Sequence, residues 1–314
     1  MAQPTNLTSS YDVVGAREKL ADAINMISPD DTPFYTRSSK VNVDNTYSEW
    51  LTDTLRASKD NKHIEGDETT ASARPNRVRL GNYTQILKEA AKVSGSADKA
   101  LNKAGRSSEL ALEMMKIGME MRLDLEKAFF ANNARVAGND STARELAGIP
   151  SWTSTNVYGG SGATEATGDG TDARSAGSAR AFTQTMLDTA LEDAWTKGGK
   201  PDVVYAPPKK VTKIATFVGS NNQRNTVDKK QISRAVDVYM TSFGTIQVEP
   251  HREMPSTDVQ VIESPKWEVG VYRNWFSKEL PETGDFVGEQ MIGEFTLHAK
   301  NEAANASIYD LNDA

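Results

Sequence analysis

The stretch that decides the fold is residues 107–130, which reads SSELALEMMKIGMEMRLDLEKAFF. Apolar side chains recur at steps of three or four residues, and charged side chains fill the positions between them. This spacing predicts one long amphipathic helix within residues 104–137, a rod of about 45 Å. Its apolar stripe is more typical of a core than of a cofactor site, and it consists of Leu110, Met114, Ile117, Met121 and Leu125.

The segment before this helix predicts a long β-hairpin over residues 41–88. Apolar and polar residues alternate in its two expected strands, residues 46–55 and 77–87. Residues 59–75 between the strands are almost entirely polar, so they bury too little apolar surface to offset the cost of ordering. Two interpretations stay open for this segment: a disordered surface loop, or an arm that orders only against another chain.

The rest of the chain mixes helices and strands, which predicts an α+β fold. Residues 158–180 hold six glycines and are typical of a mobile surface loop or linker. Further helices are expected at residues 11–27, 181–197 and 209–218. Further strands are expected at residues 202–206, 236–240, 245–248, 259–262, 267–272 and 291–298.

Composition excludes several classes of protein. The 314 residues carry 36 Lys and Arg against 43 Asp and Glu, a net charge of −7, which disfavours a polyanion-binding protein. The length allows one large domain or two modest ones. No cysteine is present, so disulfides, thiolate metal sites and cysteine nucleophiles are excluded. No apolar run reaches the roughly 20 residues that span a bilayer, and the first residues do not resemble a signal peptide.

The sequence offers no candidate catalytic, cofactor-binding or metal-binding residue. The three histidines, His63, His251 and His298, lie far apart and outside any metal-binding spacing. No nucleophile elbow and no phosphate-binding loop occurs. We therefore expect no cofactor and no enzyme activity.

Eight short blocks, in this order, carry a resemblance: residues 11–18, 28–34, 49–53, 65–67, 81–86, 104–111, 293–297 and 301–304. With these blocks the chain resembles the major capsid proteins of tailed bacteriophages, the group with the Hong Kong 97-like fold. The blocks span nearly the whole chain, and residues 138–235 match least well.

The resemblance implies a layout for the whole chain. It places an N-terminal arm at residues 1–40, an extended loop at 41–88 and a peripheral domain with the spine helix at 89–139. An axial domain would occupy residues 140–255, and residues 256–314 would return to the peripheral domain.

The resemblance also implies a function. The chain would assemble with itself into hexamers and pentamers of an icosahedral head, formed in the host cytoplasm and found in the virion. The head would enclose double-stranded DNA without sequence-specific binding. Scaffolding, portal and decoration proteins are further candidate partners, and no membrane is involved.

Two segments are expected to contact neighbouring subunits. In the N-terminal arm the expected contact residues are Arg17, Glu18 and Phe34. In the extended loop, ion pairs with neighbours worth about 0–1 kcal/mol each are expected. The loop residues are Trp50, Glu65, Asp67, Glu68, Arg74, Arg77 and Arg79.

Two alternatives remain beside the phage capsid. The first is a cellular nanocompartment shell of the encapsulin kind, which would use the same fold. The second is a soluble enzyme of an unrecognised class with Asp or Glu as acid–base groups. The polar hairpin at residues 41–88 argues against the second, since an enzyme of this size would not need it.

Overall fold

The structure is a computed structural model that describes residues 31–68, 71, 74–98, 108–217, 238–241, 244–281 and 284–313. The helix expected at residues 11–27, with Arg17 and Glu18, lies outside these ranges. Within them the helices are α1 Pro33–Arg37, α2 Gly95–Asp98, α3 Glu109–Phe130, α4 Ile149–Trp152, α5 Gln184–Thr196 and α6 Pro208–Phe217. Short 3-10 helices occupy Ser264–Lys266 and Glu302–Ala304.

The strands of the described ranges form two sheets and a separate hairpin. They are β1 Ser39–Asn42, β2 Tyr47–Thr52, β3 Val78–Tyr83, β4 Gln85–Ser94, β5 Val157–Tyr158, β6 Val203–Ala206, β7 Val238–Thr241, β8 Gly244–Pro250, β9 Val259–Ile262, β10 Trp267–Glu279, β11 Phe286–Ala299 and β12 Ala306–Ile308.

The long helix α3 runs over 22 residues, shorter than the sequence predicts. It begins where the side chain of Ser108 accepts a hydrogen bond from the N–H of Ala111 at 3.3 Å. It ends after Phe130, where Ala131 is extended. Four residues of the predicted stripe are buried, and Leu110 is half-buried against them. The stripe packs on one face of the first sheet.

The first sheet has the strand order β1-β10-β11-β4. Strands β10 and β11 form a long antiparallel hairpin, β4 pairs antiparallel with β11, and β1 pairs parallel with β10. Both hairpin strands extend well beyond the expected residues 267–272 and 291–298. The extra length lies where α3 covers one face of the sheet, with Leu87 and Met291 packed against the helix.

The second sheet has the order β5-β12-β9-β6-β8-β7, with α5 and α6 packed against it. Strands β9 and β12 both lie in this sheet, although the expected layout returns residues 256–314 to the peripheral domain. Every residue of β6, β9 and β12 is buried, as strands in the interior of a covered sheet require. The chain therefore enters the second sheet again after leaving it.

One aromatic cluster joins the two sheets. Phe34, which is 1% exposed, meets the rings of Phe129, Phe130, Tyr205 and Trp267 edge-on at centroid distances of 5.4–6.4 Å. These rings come from α1, α3, β6 and β10. The described residues therefore share a continuous core between the sheets, and the arm supplies its centre.

The glycine-rich segment at residues 158–180 is a packed loop, so the expectation of a mobile linker does not hold. The carboxylate of Asp310 accepts hydrogen bonds from the N–H groups of Gly160 and Gly177 at 2.8 and 3.0 Å. It also accepts one from the guanidinium of Arg174 at 2.7 Å. A residue some 150 positions away thus fixes the loop, which local composition could not reveal.

Candidate assembly interface

The predicted hairpin is present, with a short base and a long tip. Strands β2 and β3 pair antiparallel from Tyr47 opposite Tyr83 to Thr52 opposite Val78. We call residues 53–77, which lie beyond these strands, the tip. The described part of the tip contains no helix or strand and is exposed. Leu55 and Ile64 are 93% and 84% exposed, so apolar side chains project from the tip. An extended segment with uncovered apolar side chains is typical of an interaction surface.

The base of the hairpin is held by buried polar contacts. The Asn82 side chain is fully buried; its amide donates to the carbonyl of Leu297 at 2.9 Å and its oxygen accepts from the N–H of Ala147 at 3.0 Å. Arg135 donates to the carbonyl of Gly81 and lies over the ring of Tyr47, 5.6 Å from its centroid. An unpaired buried polar group costs free energy, so breaking these contacts is unfavourable. They therefore fix the position at which the hairpin leaves the rest of the fold.

A buried carboxylate completes the base. Glu294 on β11 is 1% exposed and accepts a hydrogen bond from the hydroxyl of Thr84 at 2.6 Å. It also forms ion pairs with Arg144 at 2.5 Å and with Arg273 at 2.8 Å. These partners come from the end of the hairpin, the loop before α4 and β10. Two guanidinium groups thus neutralise one buried carboxylate.

Two of the predicted loop arginines are paired within their own hairpin. Arg77 lies 3.2 Å from Asp53, and Arg79 lies 3.2 Å from Glu49. All four are surface groups, so each pair contributes little to stability. The structure therefore gives these arginines partners inside the chain, where the sequence predicted partners on neighbours.

Some acidic residues of the tip pair within the tip itself, as Asp60 does with Lys62 at 2.8 Å. Asp67 lies 3.1 Å from the ring nitrogen of His63. Among the described residues, Glu65, Glu68 and Arg74 are exposed and form no ion pair.

Trp50 and Phe34, two of the expected contact residues, pack within their own chain. The indole N–H of Trp50 donates to the carbonyl of Ala299 at 2.9 Å, and its ring lies 5.3 Å from Trp152 and 4.7 Å from His298. Phe34 is the centre of the aromatic cluster. The structure therefore assigns both side chains to anchoring the hairpin and the arm on their own subunit.

A buried carboxylate on α3 holds the arm in place. The two oxygens of Glu126 accept hydrogen bonds from the N–H groups of Phe34 and Tyr35 at 2.7 and 2.8 Å. His251 Nδ1 accepts from the N–H of Met254 at 3.0 Å, so the ring proton lies on Nε2 and is donated to Glu126 at 2.9 Å. Glu126 is fully buried, and three donors compensate its charge.

Two other buried titratable groups have shifted pKa values. Burial raises the pKa of Asp258 to about 6, against the opposing effects of Thr257 and Arg174. Burial lowers the pKa of His298 to about 4, and the nearby Lys300 acts in the same direction. Within the described ranges, no group of three or more His, Asp or Glu residues could hold a metal ion, and no helix is long and apolar enough to cross a membrane.

The chain is similar to proteins of known family and fold. The family model of the SU10 major capsid protein matches residues 3–312. The chain belongs to that family. The curated major capsid protein of Escherichia phage Phieco32 is 39% identical over 137 residues, or 43% of this chain. The chain matches only 38% of the length of that relative.

Solved structures share the fold. The capsid of an empty GTA particle has a TM-score of 0.65 and 14% identity, covering 98% of this chain and 100% of that chain. The capsid of the cyanophage P-SCSP1u has a TM-score of 0.62 and 12% identity, covering 98% and 100%. An encapsulin complex from Synechococcus elongatus has a TM-score of 0.57 and 10% identity, covering 95% and 93%. The α+β, Hong Kong 97-like fold that the sequence predicted is thereby confirmed.

Sequence reasoning missed the residues that hold the hairpin and the arm. A signal was present for two of them, because Asn82 and Glu294 lie in blocks that carry the family resemblance, residues 81–86 and 293–297. No signal was present for Glu126, which stands among the exposed charges of an amphipathic helix.

Proposed function

We propose that this chain is the structural major capsid protein of a tailed phage, without enzyme activity. It assembles with itself in the host cytoplasm, as hexamers and pentamers, into the icosahedral head that encloses double-stranded DNA in the virion. Scaffolding, portal and decoration proteins are proposed as further partners. Family membership and the shared capsid fold support this proposal.

One structural observation supports the proposed function in addition to family membership. The hairpin has a base locked by Asn82 and Glu294 and a tip whose Leu55 and Ile64 are almost fully exposed. Buried polar networks hold the base in one orientation, while the tip buries almost none of its apolar surface on its own chain. A rigidly mounted extension with uncovered apolar residues suits a subunit that completes its packing on neighbours.

The two sheets suggest the division into domains. We infer that the four-stranded sheet with α3 forms the peripheral domain and that the six-stranded sheet with α5 and α6 forms the axial domain. Residues 259–262 and 306–308 then belong to the axial domain, while residues 41–88 remain the extended loop and residues 1–40 the arm.

Deletion of residues 59–73 tests this function. The full-length chain is expected to form capsomers or shells that are visible by negative-stain microscopy after size-exclusion chromatography. The deletion variant is expected to keep the circular dichroism spectrum and melting temperature of unassembled subunits, because the described residues of the tip are exposed. It is expected to fail to form stable shells; normal shells from this variant would refute the loop assignment.

The encapsulin alternative rests on the shared fold with the Synechococcus elongatus complex. Shells purified from the native source separate the two functions by their contents. A genome and a portal support the phage head, while an enclosed cargo protein without nucleic acid supports the nanocompartment.

A further inference from the structure

Helix α3 carries a second row of apolar side chains, on the side turned away from the first sheet. At 3.6 residues per turn, this row lies roughly 160° around the helix from the buried stripe. Met115 is 49% exposed, and the other side chains of the row are half-buried. We call this row the outer stripe, and it consists of Leu112, Met115, Met119 and Leu123.

The outer stripe is not covered by the core of the described chain. None of its four residues packs against a buried cluster of the described residues. The buried stripe, in contrast, packs with Leu87 and Met291 of the first sheet. A helix with apolar rows on opposite faces has two faces to bury, and an uncovered row is typical of an interaction surface. The outer stripe therefore needs an occupant.

The outer stripe ends at the residue that anchors the arm. Glu126 follows Leu123 by three residues, so it continues the same row along α3. Its carboxylate accepts hydrogen bonds from the N–H groups of Phe34 and Tyr35 at 2.7 and 2.8 Å. The arm thus meets α3 at one end of the outer stripe, and the residues before Phe34 leave from that point.

The sequence that precedes the arm's anchor has an apolar row of the same spacing. Residues 11–27 predict a helix, and apolar residues recur within it at steps of three, four, four and three. The outer stripe together with Glu126 has the same four steps. Two rows of equal spacing can pack residue against residue along their whole length. We call the first row the arm stripe, and it consists of Val13, Ala16, Leu20, Ile24 and Ile27.

We propose that residues 11–27 dock as a helix on the outer stripe of their own copy, parallel to α3. The arm stripe would then cover the apolar row that the described residues leave uncovered. This places Arg17 and Glu18 on their own subunit, where the family resemblance implied contacts with neighbours. The inference concerns the unassembled subunit and does not rest on the proposed capsid function.

The start of the described chain sets the orientation. Asp31 lies 3.3 Å from Arg252, and Arg252 directly follows the histidine that contacts Glu126. The four residue steps from Asp31 to Ile27 span at most about 13 Å. Helix α3 extends about 21 Å from Glu126 back to Leu112. Ile27 is therefore placed near the Glu126 end, and the beginning of the segment near Leu112.

Engineered cysteines test the docking, since the chain has none of its own. Leu20→Cys is combined with Met119→Cys, or with Glu120→Cys as the matched control, which lies about 100° further around α3. Unassembled subunits are oxidised at low concentration and digested, and linked peptides are identified by mass spectrometry. The Met119 variant is expected to form a disulfide within one copy, and the Glu120 variant is expected to stay reduced. Equal disulfide yields in both variants, or none at Met119, overturn the docking.

Further cysteine variants test the orientation and the copy. Val13→Cys with Leu112→Cys is expected to crosslink, and Ile27→Cys with Leu112→Cys is expected to stay reduced; the reverse result overturns the parallel docking. Subunits that carry only Leu20→Cys are also mixed with subunits that carry only Met119→Cys, and no crosslinked dimer is expected. A dimer in this mixture would place the segment on a second copy and overturn the inference.

Methionine oxidation tests the docking without cysteines. A docked helix shields the two methionines of the outer stripe from hydrogen peroxide, so Leu20→Glu with Ile24→Glu is expected to speed their oxidation by about fivefold or more. Ala21→Glu with Asn25→Glu makes the same charge change away from the arm stripe and is expected to change the rate by less than about twofold. Equal rates in the unaltered chain and both variants overturn the inference. All of these measurements use unassembled subunits, so their failure leaves the proposed capsid function standing.

Discussion

The contacts of Glu126 predict the effect of replacing it with its amide. In Glu126→Gln, one carboxylate oxygen becomes an NH₂ group. If the remaining oxygen keeps Phe34 and His251, the N–H of Tyr35 faces a second donor. A hydrogen bond to a buried charge is worth about 1.5–3 kcal/mol, and an unpaired buried donor costs about 1–3 kcal/mol. We therefore expect Glu126→Gln to reduce the free energy of unfolding by about 2–4 kcal/mol.

The loss should act on the arm before the rest of the fold. Without its capping carboxylate, α1 can lift away from the aromatic cluster. This frees the backbone for cleavage by trypsin at half-buried Arg37 and at Lys40, whose side chain is already exposed. At about 1.4 kcal/mol per factor of ten, cleavage at these residues should accelerate by about 30- to 700-fold. The assay combines urea unfolding of unassembled subunits with timed digestion and mass spectrometry of the fragments.

The matched control is Glu120→Gln, which makes the same chemical change at an exposed position of α3. It is expected to alter neither the unfolding free energy nor the cleavage rate beyond about 0.5 kcal/mol or a factor of two. If Glu126→Gln behaves like this control, Glu126 does not anchor the arm, and the reasoning from its three donors is refuted.

Three further predictions follow from buried groups. Gly170 and Gly162 both have positive φ, but an added Cβ at Gly170 would lie 2.7 Å from Trp152, so Gly170→Ala should lower the melting temperature more than Gly162→Ala. Asp258 has a pKa raised to about 6, so it binds its proton more tightly in the folded state, and the free energy of unfolding falls as pH rises from about 4 to 6. Asp258→Asn should therefore increase the free energy of unfolding at pH 7 by up to about 3 kcal/mol. His298 has a pKa lowered to about 4, so the free energy of unfolding falls as pH drops from about 6.5 to 4. His298→Gln should remove this dependence on pH, as measured by urea unfolding at several pH values. If neither variant changes the pH dependence of stability, the roles given to Asp258 and His298 are contradicted.

The sequence predicted the elements in which apolar residues recur at a regular helical or strand spacing. The stripe of α3 repeats with helical spacing, and four of its residues are buried as that spacing requires. The hairpin strands alternate, and β2 and β3 pair within the expected residues 46–55 and 77–87, but residues 85–87 belong to β4 and pair with β11 instead. In both cases the period is visible within a single element, so the signal for that element is local.

Contacts between distant residues could not be predicted in this way. Glu126 resembles the exposed glutamates around it. Its burial is explained by the arm, 91 or more residues earlier, together with His251, 125 residues later. The glycine-rich loop resembles a linker until Asp310 binds it. Strands β9 and β12 look like any short apolar run, and their place between β5 and β6 depends on pairings that composition does not encode.

The order of strands in the second sheet has a consequence for biosynthesis. Strand β12, residues 306–308, lies between β5 and β9, so β5 at residues 157–158 has no strand partner in the described chain until some 150 further residues have been made. Pairing over such a separation is slow relative to local contacts. A nascent or truncated chain lacking residues 306–308 would therefore leave this sheet open between β5 and β9. Under the proposed assembly function, such chains would lack the finished surface of the six-stranded sheet, and incomplete subunits would be kept from joining a growing particle.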